Sequence, residues 1–187
     1  MAKIRRSIRR GPTFVVLMKF GKKTFDTAFG CLVIRNVIPS DAKALNGIIN
    51  ELRVNRFVLV ERPVSLKSTR ERIKGKGKSW FAAVLGGKVM GSIDLSRGVG
   101  RSKHVSNFGI SFSKKVHGKG IAQLALNAVF EHAKKAGVEL ISSRVFSDNK
   151  RGRAFYKKMG FKEVGILKNH LKRDGKYFDD ILIVKKL

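Results

Sequence analysis

The chain predicts an α/β fold of the mixed kind (α+β in its layering): one mixed central β-sheet flanked by helices. Three observations carry this. Short β-branched or alternating segments interleave with segments of helical spacing, in the order β-α-α-β-β-β-α-β-α-β-β. A strand, a glycine loop, a helix and another strand follow one another within 105–146, which is a βαβ unit with two parallel neighbours and a right-handed crossover. Two dipeptides, Gly86-Gly87 and Asp174-Gly175, are hairpin turns and make their flanking strands antiparallel.

Each element has its own reason. Leu32–Asn36 reads as a strand. Leu45, Ile48, Ile49 and Leu52 then fall at helical spacing and predict one helix over about 41–54, with Ser40 after Pro39 as its N-cap. Residues 66–74 read as a polar helix. Ser79–Leu85 and Lys88–Leu95 are β-rich on either side of Gly86-Gly87. Residues 96–106 form a loop with glycines and bases, and Val105–Phe112 is the next strand. The helix from Ile121 to about Ala136 has one polar stripe, made by Asn127, Glu131, Lys134 and Lys135. The rest of its surface is apolar, so it must be covered on most sides, as by a sheet. Gly137 supplies its C-terminal stop. Val138–Phe146 is a strand, 150–159 a short helix, and 161–168 and 176–186 the final strands.

Composition bounds the class. With 187 residues, the length prior is one domain with a sizeable core. A hydrophobic content of 43% excludes wholesale disorder. The single cysteine, Cys31, excludes a disulfide framework and a cysteine-only metal site, and it points to a reducing, cytoplasmic compartment. As a nucleophile Cys31 is a poor candidate, and a small buried residue is the better reading. The longest apolar strings, such as Phe14–Met18, fall far short of the roughly 18–20 residues a membrane span needs. No metal-ligand spacing is evident.

Charge is the outlier. Lys plus Arg is 41 and Asp plus Glu is 13, a net +28. If every acid were paired, 28 bases would still lack a partner, so an ion-pair network cannot account for them. The excess runs through the whole chain, with dense runs at Arg5–Arg10, at Lys74, Lys76 and Lys78, and at Lys150, Arg151 and Arg153. Any one run can be a solvated face. Together they exceed what solubility needs and predict contact with a polyanion: nucleic acid such as RNA or a ribosome, a nucleotide cofactor or an acidic membrane face. Residues 1–30 begin acid-free and basic and reach Pro12 before Val15 and Val16. A basic arm, an organelle transit peptide and an added edge strand are all compatible with that stretch; the arm, with a short strand after it, is favoured. The apolar string there is too short for a secretory signal.

The segment His117, Gly118, Lys119, Gly120, Ile121, Ala122 stands between a strand and a helix N-terminus. The first N–H groups of a helix lack partners and carry about half a positive charge together. Glycines let backbone N–H groups approach a pyrophosphate without a Cβ in the way, and Lys114, Lys115 and Lys119 add charge. A plain glycine turn is the ordinary alternative. Neither a P-loop nor a dinucleotide fingerprint is present.

This segment resembles the acetyl-CoA loop of the GNAT N-acetyltransferase superfamily, Gln/Arg-x-x-Gly-x-Gly/Ala, here His117-x-x-Gly120-x-Ala122. His replaces Gln or Arg, a change that implies altered affinity more than lost binding. A second block agrees: Asp148-Asn149, then Ala154, Phe155, Tyr156, Lys157, Lys158, Met159, Gly160 and Phe161, is similar to the family's Asn…Ala-x-x-Tyr-x-x-x-Gly-Phe. Softer matches lie at Trp80–Gly91 and Asp174–Asp180. The resemblance covers about 31–187 and leaves 1–30 outside it as a basic N-terminal extension.

The resemblance implies a β-α-β core binding acetyl-CoA, with the pantetheine arm added as a pseudo-strand along Ile110, Ser111 and Phe112. Strands splayed after Phe112 and Val138 would hold it, and a backbone N–H near Phe112 would face the thioester oxygen. Tyr156 would be the general acid, since a phenol near pKa 10 and a thiol near 8.5 are close. Asn149 would bond the pantetheine or place a water, and it can serve as a helix N-cap as well. Tyr156 reads, alternatively, as an aromatic packing on the sheet. The base is open: Asn107 stands where relatives carry a Glu, and Asp94, His104, His117 and water remain candidates. His170 reads equally as a surface histidine.

The expected activity is acetyl transfer from acetyl-CoA to a primary amine: a protein amino terminus, a lysine or a small amine. An α-amine of pKa near 8 is about a tenth neutral at pH 7, whereas a lysine is neutral only about four parts in ten thousand. A +28 surface disfavours free polyamines and suits an acceptor carried on something acidic. The competing expectation is a GNAT-like fold serving as an RNA- or ribosome-associated binding protein, with catalysis weak or lost.

Overall fold

The computed structural model describes residues 20–60, 63–75 and 78–187. Their strands form one eight-stranded sheet, in the order β1-β2-β3-β4-β5-β6-β8-β7. The strands are β1 (Lys23–Thr27), β2 (Gly30–Asn36), β3 (Ser79–Leu85), β4 (Lys88–Arg97), β5 (Val105–Phe112), β6 (Leu140–Phe146), β7 (Lys162–Arg173) and β8 (Lys176–Lys186). The helices are α1 (Ala42–Asn50), α2 (Leu52–Asn55), α3 (Leu66–Lys74), α4 (Ile121–Lys135) and α5 (Lys150–Lys158). All pairs are antiparallel except β5 with β6, the two strands of the βαβ unit.

The turns form as their residues dictate. Gly86 and Gly87 have φ of 53° and 76°, and Asp174 and Gly175 have 50° and 76°. Two successive positive φ values are what a two-residue turn needs to follow the strand twist. Gly137, at φ 80°, closes the end of α4.

One face of the sheet carries α4 and α5 and holds most of the core. There Leu32, Phe81, Ile93, Leu95, Ile141 and Ile183 meet Ile121, Leu126, Val129 and Phe130 of α4. The wide apolar surface of α4 is thus covered by the sheet, and its polar stripe is exposed. The other face carries α1, which packs over β4 and β5 with Ala42, Leu45 and Ile48 buried. That face is more polar: Ser92, Asp94, Asn107, Ser111, Ser142, Arg144 and Asp180 all rise from it, by the alternation of side chains along each strand.

The structure departs from the sequence reading in several places. The single helix over 41–54 is two helices, because Glu51 turns out of helical geometry at ψ 128°. Leu52, beyond the break, is exposed rather than core-facing. Ser40 is not the N-cap; Asp41 holds that position but gives α1 no side-chain bond, because its carboxylate turns back to accept from Ile38 N at 2.9 Å while Arg35 clamps both oxygens. β7 runs on to Arg173, bulged between Leu167 and Leu171. Cys31 is exposed, not buried, opposite Asp26 on the outer hairpin.

Residues 1–19, 61–62 and 76–77, including the basic run at 5–10, Val15, Val16 and Lys76, lie outside the described residues. Within 20–30, β1 pairs with β2 from Lys23↔Ile34 to Thr27↔Gly30. Phe20 is buried, its ring 4.9 Å from Phe81 and 5.1 Å from His132. Among the described residues, no helix is long and apolar enough to cross a membrane, and no three His, Cys, Asp or Glu gather as a metal site.

Candidate functional site

The site begins where two parallel strands part. β5 and β6 pair at Val105↔Leu140, Ser106↔Ile141 and Asn107↔Ser142, and then diverge. The opening therefore starts after Asn107 and Ser142, nearer the start of β5 and further along β6 than the expected Phe112 and Val138. Two serines pin its apex: Ser142 Oγ donates to Asn107 Oδ1 at 2.6 Å, and Ser143 Oγ to the Phe108 carbonyl at 2.8 Å. Asn107 thus holds the strands together.

The open edge of β5 has a defined polarity. Gly98 N donates to Val105 O, and Ser113 N to Met90 O, each at 2.9 Å. In an antiparallel ladder alternate residues bond to the partner, so odd-numbered residues of β5 face β4. The main-chain groups of Ile110 and Phe112 face the opening instead. Phe112's carbonyl accepts from His117 Nε2 at 2.9 Å, which folds the glycine loop back onto the strand end. That bond fixes the imidazole proton on Nε2 and leaves Nδ1 buried without a partner among the described residues.

The loop itself is stiffly built. Ser113 caps a 3-10 turn, Lys114–Val116, and Glu51 accepts from both Ser113 Oγ (2.6 Å) and Lys114 N (2.8 Å). Gly118 and Gly120 then adopt φ of 80° and 74°, and a Cβ on either would meet nothing within 4 Å. That space is what an approaching phosphate requires. Gly120 opens α4, so the N–H groups of Ile121, Ala122 and Gln123 lie in the first turn, where the helix offers them no acceptor.

A cavity of about 550 Å³ joins these parts. Ile110, Ser111, Phe112, His117, Gly118, Gly120, Ala122, Asn149 and Tyr156 line it together. Two residues singled out from the sequence do not. Ile121 is fully buried, which leaves only its N–H for a ligand, and Lys119 lies over the Phe29 ring at 4.7 Å. The sequence reading missed the wall from α2 onward, including Arg53, Arg56 and Phe57. Those bases are visible in the sequence as charge, but the broken helix that aims them is not.

Asn149 caps α5, its Oδ1 accepting from Gly152 N at 2.9 Å. Gly152 makes room for this, since a Cβ there would lie 2.5 Å from Asn149 Nδ2. Among the described residues nothing accepts from the side-chain nitrogen, which can donate to a ligand. Tyr156 is nearly buried among Phe108, Phe155 and Phe161, with ring centroids 5.5–5.7 Å away. Burial pushes its phenol well above the ordinary value, so it stays protonated.

The remaining base candidates occupy distinct places. His104 lies just before β5, beyond the closed end of the opening, its carbonyl accepting from Glu139 N and Leu140 N. His170 is half-exposed and bonds through Nδ1 to the buried Asp180 at 3.1 Å; Arg144 reaches the same carboxylate oxygen at 3.1 Å. Asp94 lies against Gly109, the residue beside Ile110.

The chain's likenesses agree with this geometry. A model described as "Acetyltransferase (GNAT) family" matches residues 47–161. Among solved structures, Mycobacterium smegmatis RimJ in complex with CoA-disulfide is 21% identical, with a TM-score of 0.76 over 88% of this chain and 86% of that one. A ribosomal-protein-alanine N-acetyltransferase from Brucella melitensis is 23% identical, with a TM-score of 0.72 over 82% and 99%. A spermidine N-acetyltransferase chimera involving Vibrio cholerae is 21% identical, with a TM-score of 0.71 over 82% and 93%. No curated relative matches by sequence.

Proposed function

The chain belongs to the acetyltransferase (GNAT) family, and from that membership we propose that it moves an acetyl group from acetyl-CoA to a primary amine: a protein amino terminus, a lysine side chain or a small amine. The observation that carries this is the opening between β5 and β6, whose free main-chain edge leads directly to left-handed glycines at a helix N-terminus.

The residues present fit the group the family implies. The cleared space over Gly118 and Gly120 and the first-turn N–H groups of α4 suit a pyrophosphate. Ile110 would pair its N–H and carbonyl with the amides of a pantetheine arm, as a strand edge does. Bound acetyl-CoA supplies the thioester to be attacked. The Phe112 N–H, which faces the opening, would donate to an oxyanion there. Asn149 Nδ2 would hold the arm against α5. Tyr156, kept protonated by burial, would donate a hydrogen bond to the departing sulfur, and the widened gap to the thiol favours that over full transfer of its proton.

The test is direct. Acetyl-CoA should raise the melting temperature, and incubation with amines should release thiol in step with amide formation. No melting shift and no transfer to any amine would end this reading.

A second reading is favoured by the charge. Every described acid that is buried or partly buried, save one, already has a partner, so the excess of bases stays available to a polyanion. RNA or a ribosomal surface is the proposed contact, alongside catalysis or in place of it. The logarithm of its binding constant should fall by about 0.7–0.9 per unit of log salt for each phosphate contact. Binding indifferent to salt would argue against it.

A further inference from the structure

Asp94 is partly buried and has no hydrogen-bond or ion-pair partner among the described residues. Asp41 is clamped by Arg35, Glu51 by Ser113 and Lys114, Asp148 by Arg173, Asp179 by Lys168, and Asp180 by Arg144 and His170. Among the described acids, Asp94 alone combines partial burial with the lack of any hydrogen bond or ion pair. This occurs in a chain with 28 more bases than acids, where a carboxylate without a cation is the improbable outcome.

Its place explains what it is free for. Asp94 projects from the middle of the sheet, on the face that carries α1. Its cross-strand neighbours are Trp80 on β3 and Gly109 on β5. A Cβ on Gly109 would lie 2.8 Å from Asp94 Oδ1, so glycine there is what lets the carboxylate lie over β5. Ile110, the next residue, turns its main chain into the opening, and Ser111 lines the cavity. Asp94 does not itself line the cavity; its carboxylate lies over β5 at Gly109, one residue from the Ile110 main chain that faces the opening.

An amine acceptor has a specific difficulty with this protein. At neutral pH it is an ammonium ion, and a body of charge +28 repels it. A local anion must offset that repulsion at the site. We propose that Asp94 binds the ammonium group of the acceptor and holds its nitrogen beside the Ile110 edge, with Gly109 as the spacer that makes the carboxylate available. This rests on the acetyltransferase reading and adds to it the residue that recognises the acceptor. Asp94 is assigned binding and positioning; proton removal is not part of the assignment.

The experiment uses the full chain and three probes: a short peptide with a free amino terminus, Nα-acetyl-lysine amide and spermidine. For Asp94→Asn, acetyl-CoA affinity should stay within about twofold, while KM for whichever probe is turned over rises about 10- to 100-fold and kcat changes far less. Gly109→Ala keeps the charge but displaces it, and should raise KM in the same direction by less. Amine binding to the CoA complex, followed by NMR with the acetylated probe as neutral control, reads the same contact without turnover. An unchanged KM in Asp94→Asn, equal binding of charged and neutral probes, or loss of CoA affinity together with acceptor affinity would each overturn the assignment. A wild type that takes no CoA would instead defeat the acetyltransferase reading.

Discussion

Glu51 Oε1 accepts a 2.6 Å hydrogen bond from Ser113 Oγ, joining residues 62 apart in sequence, and Oε2 accepts the Lys114 N–H at 2.8 Å. One carboxylate thereby breaks the first helix and anchors the entrance to the glycine loop. Glu51→Ala should lower stability by about 1–3 kcal/mol, the range for charge-assisted bonds of this kind. It should also weaken acetyl-CoA binding, because the turn before Gly118 loses its anchor. Calorimetric titration and thermal unfolding on the same variant check both effects.

Gly120 has a φ of 74° with open space around it. Gly120→Ala meets no clash, so its cost is the left-handed backbone, about 1–2 kcal/mol, together with a methyl group facing the incoming phosphate. Acetyl-CoA affinity should fall about tenfold or more. Unchanged affinity would mean that the pyrophosphate does not approach this residue.

Tyr156 sits in an aromatic cage that raises its pKa by desolvation. A raised phenol keeps its proton to higher pH, so activity lost by its ionisation should appear only above the ordinary value of about 10. Tyr156→Phe keeps the ring packing and removes the proton. Turnover should fall by roughly 10²-fold or more, with CoA affinity nearly unchanged. Steady-state rates and CoA titration separate these outcomes.

Asp41 links β2 to α1. Burial pushes its carboxyl up, but the Arg35 hydrogen bonds, the Ile38 N–H and the Arg35 charge outweigh it, and the pKa ends below the ordinary value. A depressed folded pKa contributes stability that is full above the unfolded value of about 4 and is lost as pH falls through the folded one. Asp41→Asn should lower the melting temperature near pH 7 by removing one partner of a nearly buried pair. Its deficit relative to wild type should shrink as pH falls below about 4. A deficit constant with pH would show that the charge contributes nothing.

Much of the fold and of the candidate site is legible in the amino-acid order, being set by short-range chemistry. Gly86-Gly87 and Asp174-Gly175 permit the positive φ values a tight hairpin demands. The near-complete apolar surface of α4 requires a covering sheet. His117 through Ala122 place glycines at a strand-to-helix junction wherever the rest of the chain lies. Asn149 just ahead of a short helix is an N-cap by residue type, and it caps α5 in the structure. Such features depend on neighbours a few residues away, and their conformational preferences survive into the fold.

The departures share the opposite character. Leu52 keeps helical periodicity with Leu45 and Ile48, yet it is exposed, because Glu51 is drawn out of the helix by Ser113 and Lys114 far along the chain. Asn107, where the resemblance points to a Glu base, accepts from Ser142 across the parallel pair, at the point where the opening starts. Asp94 is one acid among thirteen in the sequence. Only the pairing of β3, β4 and β5 shows that it lies over a glycine and that no cation among the described residues reaches it. Backbone preference and side-chain spacing act over a few residues and are written in the chain. Strand registry and charge pairing act between segments tens of residues apart, and they exist only once the sheet has assembled.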